Sequence, residues 1–110
     1  METVSFSDFK KIELKVAHIL AVEDIEGKDK LYKLQIDIGE EHPRILVAGL
    51  KPFYTKDELN GKQIIVVANL EPKPLAGILS HGMLLASGPK EGPVSLLTLD
   101  KEMPAGSKVE

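Results

Sequence analysis

The chain contains no cysteine and no tryptophan, and its aromatic residues are limited to three phenylalanines and two tyrosines. The absence of cysteine excludes disulfides, thiolate nucleophiles, and zinc or iron–sulfur sites built on cysteine. So few aromatic rings also argue against a protein that binds single strands by stacking one base after another. If the chain binds nucleic acid, we therefore expect a folded RNA recognised by its shape and backbone.

Long apolar runs and an excess of positive charge are missing as well. No hydrophobic stretch approaches the roughly 20 residues that cross a bilayer. The N-terminus has neither the basic start nor the apolar stretch of a signal peptide. Fourteen Lys and Arg residues stand against 17 Asp and Glu, a formal net charge of -3, which disfavours indiscriminate binding of polyanions. We predict a single cytoplasmic domain over residues 1–110, without a membrane partner.

Motifs for catalysis and for metal or cofactor binding are also lacking. The three histidines, His18, His42 and His81, are scattered, and none has a second ligand at a metal-site spacing. Ser80 and His81 are adjacent, so in an extended segment their side chains point to opposite faces and do not form a nucleophile–base pair. Neither type of glycine-rich phosphate loop occurs. We predict no catalytic residues, no metal and no cofactor.

The sequence does contain a series of short strand signals. Residues 31–38 place Tyr32, Leu34 and Ile36 on one face and polar residues between them, a pattern typical of a half-buried strand. The stretch 14–23 is rich in Val, Ile and Leu without clean alternation, which predicts a long curved strand with a bulge. Further strands are expected over residues 44–50, 63–70, 82–87 and 94–99.

Helix signals are brief. Thr55 and Glu58 have the spacing of a capping box, and Gly61 ends that helix after one or two turns. A second short helix is expected over residues 7–12, docked on the barrel through Phe9 and Ile12. Five or six short strands with one inserted helix predict an all-β fold, a small closed or partly open barrel.

One predicted strand is apolar on both faces. Residues 64–68 read Ile-Ile-Val-Val-Ala, so another element or another chain must cover the outer face. The C-terminal segment is also apolar, with Leu96, Leu97 and Leu99. Together these features predict a symmetric homodimer, in which the same patch serves both chains.

Basic side chains lie near predicted strand ends or on an outward strand face. Two alternatives stay open for them at this point: they meet on one side of the barrel, or they are ordinary solvated surface. The residues concerned are Lys28, Lys30, Lys33, Arg44, Lys51 and Lys73.

Four ordered segments resemble a known family. They are Gly27-Lys28-Asp29-Lys30-Leu31-Tyr32, Val47-Ala48-Gly49-Leu50, Val66-Val67-Ala68-Asn69-Leu70-Glu71-Pro72-Lys73 and Ser80-His81-Gly82-Met83-Leu84-Leu85-Ala86. They are similar to the tRNA-binding OB-fold domain found at the C-terminus of many methionyl-tRNA synthetases, in endothelial-monocyte-activating polypeptide II-like proteins, and as free-standing structure-specific tRNA-binding proteins. The resemblance spans residues 8–109, a length that favours the free-standing form.

The resemblance implies a five-stranded OB barrel with one or two short helices. It also implies a C-terminal extension, after about residue 88, that joins the N-terminal elements in a homodimer. The implied function is non-catalytic: the dimer recognises tRNA by shape and assists an aminoacyl-tRNA synthetase in trans. Matching positions imply RNA contacts by Lys28, Lys30, Lys33, Ser80 and Met83, and the neighbouring Arg44, Lys73 and His81 complete the predicted site.

These residue types fit the implied chemistry. Lysines hold phosphates as mobile point charges, a serine hydroxyl pairs with a ribose or a base edge, and a methionine offers an apolar contact to an unstacked base. For Met83 the alternative is a place in the barrel core.

The sequence departs from the family pattern in ways that weaken polar contacts to RNA. Gly27 stands where the family usually has asparagine, and Glu71 stands where a lysine usually precedes the proline. Pro74 occupies a commonly basic position, and Leu79 and His81 replace a polar pair around the serine. A related branch of small dimeric OB proteins consists of export-related chaperones that bind unfolded peptides, and this is the second hypothesis. A third is an assembly subunit that docks a synthetase and has negligible RNA affinity of its own.

Overall fold

The computed structural model describes residues 1–89 and 92–110. These residues form two short helices and ten strands. They are α1 (Phe6–Phe9), β1 (Leu14–Ile25), β2 (Lys28–Asp37), β3 (Arg44–Ala48), α2 (Lys56–Leu59), β4 (Gln63–Val67), β5 (Lys73–Leu75), β6 (Ile78–Ser80), β7 (Met83–Leu84), β8 (Ala86–Ser87), β9 (Ser95–Leu96) and β10 (Lys108–Val109).

The long strand β1 is the centre of an antiparallel sheet ordered β3-β2-β1-β4-β7, with β10 paired to the start of β1. The first half of β1 pairs with β4 and the second half pairs with β2. His18 pairs with both strands, with Gln63 of β4 and with Asp37 of β2. The pairing with β2 shifts register between Ile19 and Ala21, which leaves Leu20 as the extra residue of a bulge. The predicted long, bulged strand is confirmed.

The barrel closes where β3 meets β6. The Val47 N–H donates to Ser80 Oγ at 3.0 Å, and the His81 N–H donates to the Ile45 carbonyl at 2.9 Å. Beyond Gly82 the chain continues as β7, which pairs with β4. These contacts complete a nearly closed five-stranded antiparallel barrel and confirm the predicted all-β OB fold.

The core fills the barrel from alternate positions of its strands. Tyr32, Leu34 and Ile36 of β2 are buried, as the alternation predicts. Leu59 of α2 is fully buried in the same cluster. The capping box of α2 is also confirmed: Thr55 Oγ1 accepts from the Glu58 N–H, and the Glu58 carboxylate accepts from the Thr55 N–H. The hydrogen bond from the Thr55 N–H to the carboxylate, and after it one from the Thr55 side chain, keep the pKa of Glu58 below its usual value.

The outer face of β4 is covered within the chain. Ile65 and Val67 are buried without belonging to the core cluster. The C-terminal segment is bonded to β1 and to the start of β4: the Val16 N–H donates to the Ser107 carbonyl at 2.9 Å, and the Met103 N–H donates to Gln63 Oε1 at 2.7 Å. The sequence allowed either another element of the same chain or a second chain to cover this face. In the structure, elements of the same chain bury it. The homodimer stays a prediction.

The N-terminal helix differs from its prediction. It is a single turn with Ser5 as its N-cap, and it buries none of its side chains. Phe9 and Ile12 are 43% and 47% exposed, so the predicted docking on the barrel is wrong. The backbone after this helix is instead attached to the loop that follows β4. The Asn69 side chain accepts from the Glu13 N–H at 2.9 Å and donates to the Lys11 carbonyl at 2.6 Å.

Candidate nucleic-acid interface

A groove of about 630 Å³ opens between β3, the β5–β6 hairpin and the loop that follows β4. Its apolar walls come from seven residues: Leu46, Val47, Ala48, Leu70, Leu75, Met83 and Leu84. Polar side chains line it at three places, Glu71, Lys73 and Ser80. This combination of apolar walls with a few polar groups is typical of ligand-binding clefts.

One row of residues from four strands runs through this groove and ends at Lys33, which lies outside the lining. Lys33 of β2 pairs with Val47 of β3, and Lys73 of β5 pairs with Ser80 of β6. The hydrogen bond between Val47 and Ser80 joins the two pairs. Neighbouring strands lie about 4.8 Å apart, so the two lysine backbones are separated by roughly 14 Å. The row therefore has a lysine at each end and apolar and hydroxyl groups between them.

Ser80 and Met83 lie on opposite sides of a glycine turn. Ser80 is 5% exposed, and its hydroxyl oxygen accepts from Val47, which leaves the hydroxyl hydrogen to donate. Met83 is 51% exposed at the groove, so it is not part of the core. Gly82 between them has φ +116°, and an added Cβ would lie 3.1 Å from the Val67 carbonyl oxygen. Glycine is required at this turn because other residues rarely adopt that φ.

Lys33 forms only a weak ion pair within the protein, and Lys73 is exposed. The Lys33 ammonium lies 4.0 Å from the Glu23 carboxylate, at the limit of an ion pair, and Lys73 is exposed at the groove edge. An exposed pair of this kind contributes little to stability. Both lysines are therefore accessible to an anionic ligand, although the carboxylate of Glu71 beside Lys73 makes the charge of the groove mixed.

Lys28 and Lys30 lie at the other end of β2. Lys28 lines a separate open depression of about 520 Å³, together with Asp24, Asp29 and Lys51. The side chain of Lys30 is exposed, and its carbonyl accepts from the Lys51 N–H at 3.4 Å. The structure does not bring these two lysines into the lining of the groove, and their predicted RNA contacts stay predictions.

Beside this depression, the carboxylate of Asp24 forms ion pairs with two lysines. Asp24 pairs with Lys56 at 2.7 Å and with Lys51 at 2.9 Å, and we call these three residues the turn cluster. The hydrogen bonds from Lys56 and then Lys51 lower the pKa of the Asp24 carboxyl, and the bond to Asp24 raises the pKa of Lys56. Lys51, one of the basic residues noted in the sequence, is therefore already paired.

Arg44 and His81 lie next to the groove-lining residue Gly82. Arg44 Nε and Nη2 each donate to a carboxylate oxygen of Glu40 at 2.8 Å, and Nη1 donates to the Ala68 carbonyl at 2.6 Å. The hydrogen bonds from Arg44 keep the pKa of Glu40 below its usual value, with smaller contributions from the charges of Arg44, His81 and Lys15. His81 is half-buried beside the lining residue Gly82.

Leu70 and Asn69 are among the residues of this surface that the predicted site did not include. Leu70 forms part of the groove wall and is 41% exposed, but a single apolar residue in a loop has no periodic signal. Asn69 ties the N-terminal segment to the same loop. Its partners lie 56 and 58 positions away, so no local pattern indicates them.

Across residues 1–89 and 92–110, no three His, Cys, Asp or Glu side chains are grouped as ligands of a metal ion would be. No helix in that part of the chain is both long and apolar enough to cross a bilayer.

Comparison with known proteins identifies the family. A family model of tRNA-binding domains matches residues 14–108, nearly the whole chain. The chain belongs to the tRNA-binding domain family. The resemblance inferred from the four sequence segments is confirmed.

Relatives with this domain differ in what surrounds it. The methionine–tRNA ligase of Methanocaldococcus jannaschii is 48% identical over 109 residues, which cover 99% of this chain but 17% of the ligase. A solved structure of a MetRS-related protein from Pyrococcus horikoshii has a TM-score of 0.91 and 35% identity, with each chain covered completely. The structure of the chaperone CsaA from Bacillus anthracis has a TM-score of 0.89 and 30% identity, covering 99% of this chain and 100% of that one.

Proposed function

We propose that the chain is a non-catalytic module that binds tRNA by its folded shape, through the groove and the lysines along its edges. The observation that supports this best is the row formed by Lys33, Val47, Ser80 and Lys73. Lysines at its two ends can hold two separate backbone segments of an RNA, because phosphate contacts position a nucleic acid without reading its sequence. A cytoplasmic location stays a prediction.

The middle of the row suits an unstacked nucleotide. Met83 and Leu70 present exposed apolar surface, and Ser80 keeps a hydroxyl hydrogen that can donate to a base or ribose. Folded RNAs offer such nucleotides in loops and bulges, where unpaired bases are accessible. Lys28, Lys30 and His81 complete the proposed contact set at the periphery.

We also propose that two copies of the chain form a homodimer. Exposed apolar side chains in the N-terminal and C-terminal segments support the homodimer: Phe9, Ile12, Leu97 and Met103. A dimer would present two grooves to one tRNA. Sedimentation at micromolar concentration is expected to show twice the 12.0 kDa chain mass. A monomer would contradict the dimer and leave the single groove as the binding unit.

The relatives that carry this domain within a methionine–tRNA ligase favour an aminoacyl-tRNA synthetase as a second partner, assisted in trans. In this arrangement the domain would add affinity for tRNA to an enzyme that supplies the chemistry. The expected result is that added protein lowers the KM of a synthetase for tRNA. Unchanged kinetics would limit the function to binding tRNA.

Peptide binding is the second candidate, favoured by the apolar walls of the groove and by the similarity to the chaperone CsaA. The two candidates differ in their response to salt. Binding of RNA through phosphates weakens linearly in log K against log salt, whereas capture of an apolar peptide is flat or becomes stronger. Titrating a labelled tRNA and an unfolded peptide at two salt concentrations separates them. We expect salt-sensitive binding of tRNA; salt-insensitive binding of the peptide alone would contradict the proposed function.

A further inference from the structure

Arg44 is a basic residue next to the groove, yet its guanidinium is directed into the protein. The side chain is 13% exposed, and each of its three nitrogens donates to a protein acceptor. Two of those bonds form a bidentate pair with Glu40, a geometry that only a guanidinium provides. A phosphate approaching from solvent would have to compete with these bonds.

The acceptors connect separate segments at the edge of the groove. Glu40 lies in the turn between β2 and β3, and Ala68 directly precedes the loop that supplies Leu70 and Glu71 to the groove lining. Nη1 also lies near Gly82, since a Cβ added there would be 3.8 Å from it. One guanidinium thus lies where the β2–β3 turn, the end of β4 and the glycine turn between Ser80 and Met83 meet.

We propose that Arg44 is a positioning residue for RNA recognition: together with Glu40 it fixes the Ala68 carbonyl and the Gly82 turn, and it holds Leu70 and Met83 in place without binding a phosphate. The inference rests on the proposed function, because it assigns a role within the same groove. Arg44 acts through its neighbours, and its net effect on the charge of the surface is small because Glu40 neutralises it.

A phosphate contact and a positioning residue respond in opposite ways to two conservative substitutions. Arg44→Lys keeps the positive charge but cannot form the three-way set of hydrogen bonds. It preserves binding if Arg44 holds a phosphate and weakens binding if Arg44 positions the groove. Glu40→Gln removes a negative charge close to the RNA, so a purely electrostatic role predicts tighter binding, whereas loss of the bidentate pair predicts weaker binding.

The experiment measures tRNA affinity at several salt concentrations for the wild type, Arg44→Lys, Glu40→Gln and the control Glu41→Gln. Glu41 is a suitable control because it lies beside Glu40, is 90% exposed and is not bonded to Arg44. We expect Arg44→Lys and Glu40→Gln each to weaken binding about five- to tenfold, which corresponds to roughly one lost hydrogen bond of ordinary strength. The salt slope should stay at the wild-type value, and Glu41→Gln should bind as tightly as the wild type or slightly more tightly.

Hydrogen exchange without RNA provides an independent measurement. In both variants, the amides of residues 68–70 and 81–83 should exchange faster, while that of Leu34 in the core should be unchanged, which also shows that the variants fold. Retained affinity in Arg44→Lys, or tighter binding by Glu40→Gln, would overturn the positioning role. If the wild type does not bind tRNA, the proposed function fails, and the exchange data alone decide whether Arg44 orders these segments.

Discussion

The row of residues at the groove and the turn cluster each contain two lysines, but these lysines differ in how closely a carboxylate binds them. In the turn cluster, Asp24 accepts hydrogen bonds from Lys51 and Lys56 at short distances. At the groove, Lys73 is exposed, and the nearest carboxylate to Lys33 is 4.0 Å away. The difference shows that the number of basic residues in a region does not identify an anion-binding surface. What matters is whether their charges are already paired.

The largest effect is expected where the groove depends on backbone geometry. Gly82→Ala places a Cβ on a residue with φ +116°, 3.1 Å from the Val67 carbonyl oxygen. Strain of this kind costs about 1–3 kcal/mol of stability, and the displaced turn should weaken tRNA binding as well. Urea denaturation and tRNA titration check both effects. The matched control is Gly27→Ala, also at positive φ but with open space around the added Cβ, which should cost less and leave binding intact. Equal effects of both substitutions would contradict the steric argument.

Met83→Ser tests the apolar contact without disturbing the core. Because Met83 is 51% exposed, stability should change by no more than about 0.5 kcal/mol. Loss of an apolar contact to an unstacked base should weaken tRNA binding by about 1 kcal/mol, or roughly fivefold, with no change in the salt slope. A thermal melt and a salt-dependent titration separate stability from binding. Unchanged affinity would exclude Met83 from the contact set.

Asp24→Asn should break the ion pairs of Lys51 and Lys56 and so leave two lysines of the turn cluster without a close carboxylate partner. Because the folded state lowers the pKa of Asp24, the wild-type carboxylate contributes stability above its unfolded pKa of about 3.8 and loses it as the pH falls through the lower folded value. The variant should therefore be less stable than the wild type at pH 7, and the difference should vanish in acid. Released lysines should also strengthen tRNA binding and steepen its salt dependence. Denaturation curves at several pH values would contradict the pairing if the difference were independent of pH.

The smallest effect is expected at His81, which directly precedes the groove-lining residue Gly82 and whose charge is one of the smaller influences that lower the pKa of Glu40. Histidine side chains take up a proton between pH 8 and pH 6, and a nearby phosphate favours the charged form. Affinity for tRNA should therefore rise over this range, and His81→Gln should remove most of the rise while retaining binding. Titrations of both proteins across the range test this, and identical pH profiles would show that His81 takes no part in recognition.

Local patterns predicted much of the fold because their physical causes are local. The alternation in β2 and the capping box at Thr55 depend on neighbours within a few positions, and both are confirmed. The two-sided apolar strand indicated that a cover is needed but not which element supplies it, because burial does not identify the partner. The docking of α1 failed because the spacing of Phe9 and Ile12 describes a helix face and not whether anything lies opposite it.

The candidate site was harder to predict because pairing of charges is a long-range property. Arg44 and Lys51 have the same appearance in the sequence as Lys33. Arg44 has one partner, Glu40, only four residues away, but its other partner, the Ala68 carbonyl, and Asp24, the partner of Lys51, become neighbours only when the barrel closes. The resemblance identified Ser80 and Met83, but it could not show that one is buried and the other exposed. That difference comes from the turn at Gly82, whose φ depends on the folded backbone.

The central claim is that lysines without a close carboxylate partner, and not all lysines, contact RNA. It is tested most directly by the slope of log K against log salt for tRNA binding by Lys33→Ala, Lys30→Ala and Lys51→Ala. Each released phosphate contact lowers the magnitude of the slope by about one. We predict this decrease for Lys33→Ala and Lys30→Ala, equally for different tRNAs, and no decrease for Lys51→Ala, whose charge is paired with Asp24. Equal decreases in all three variants, or none in Lys33→Ala, would contradict the claim.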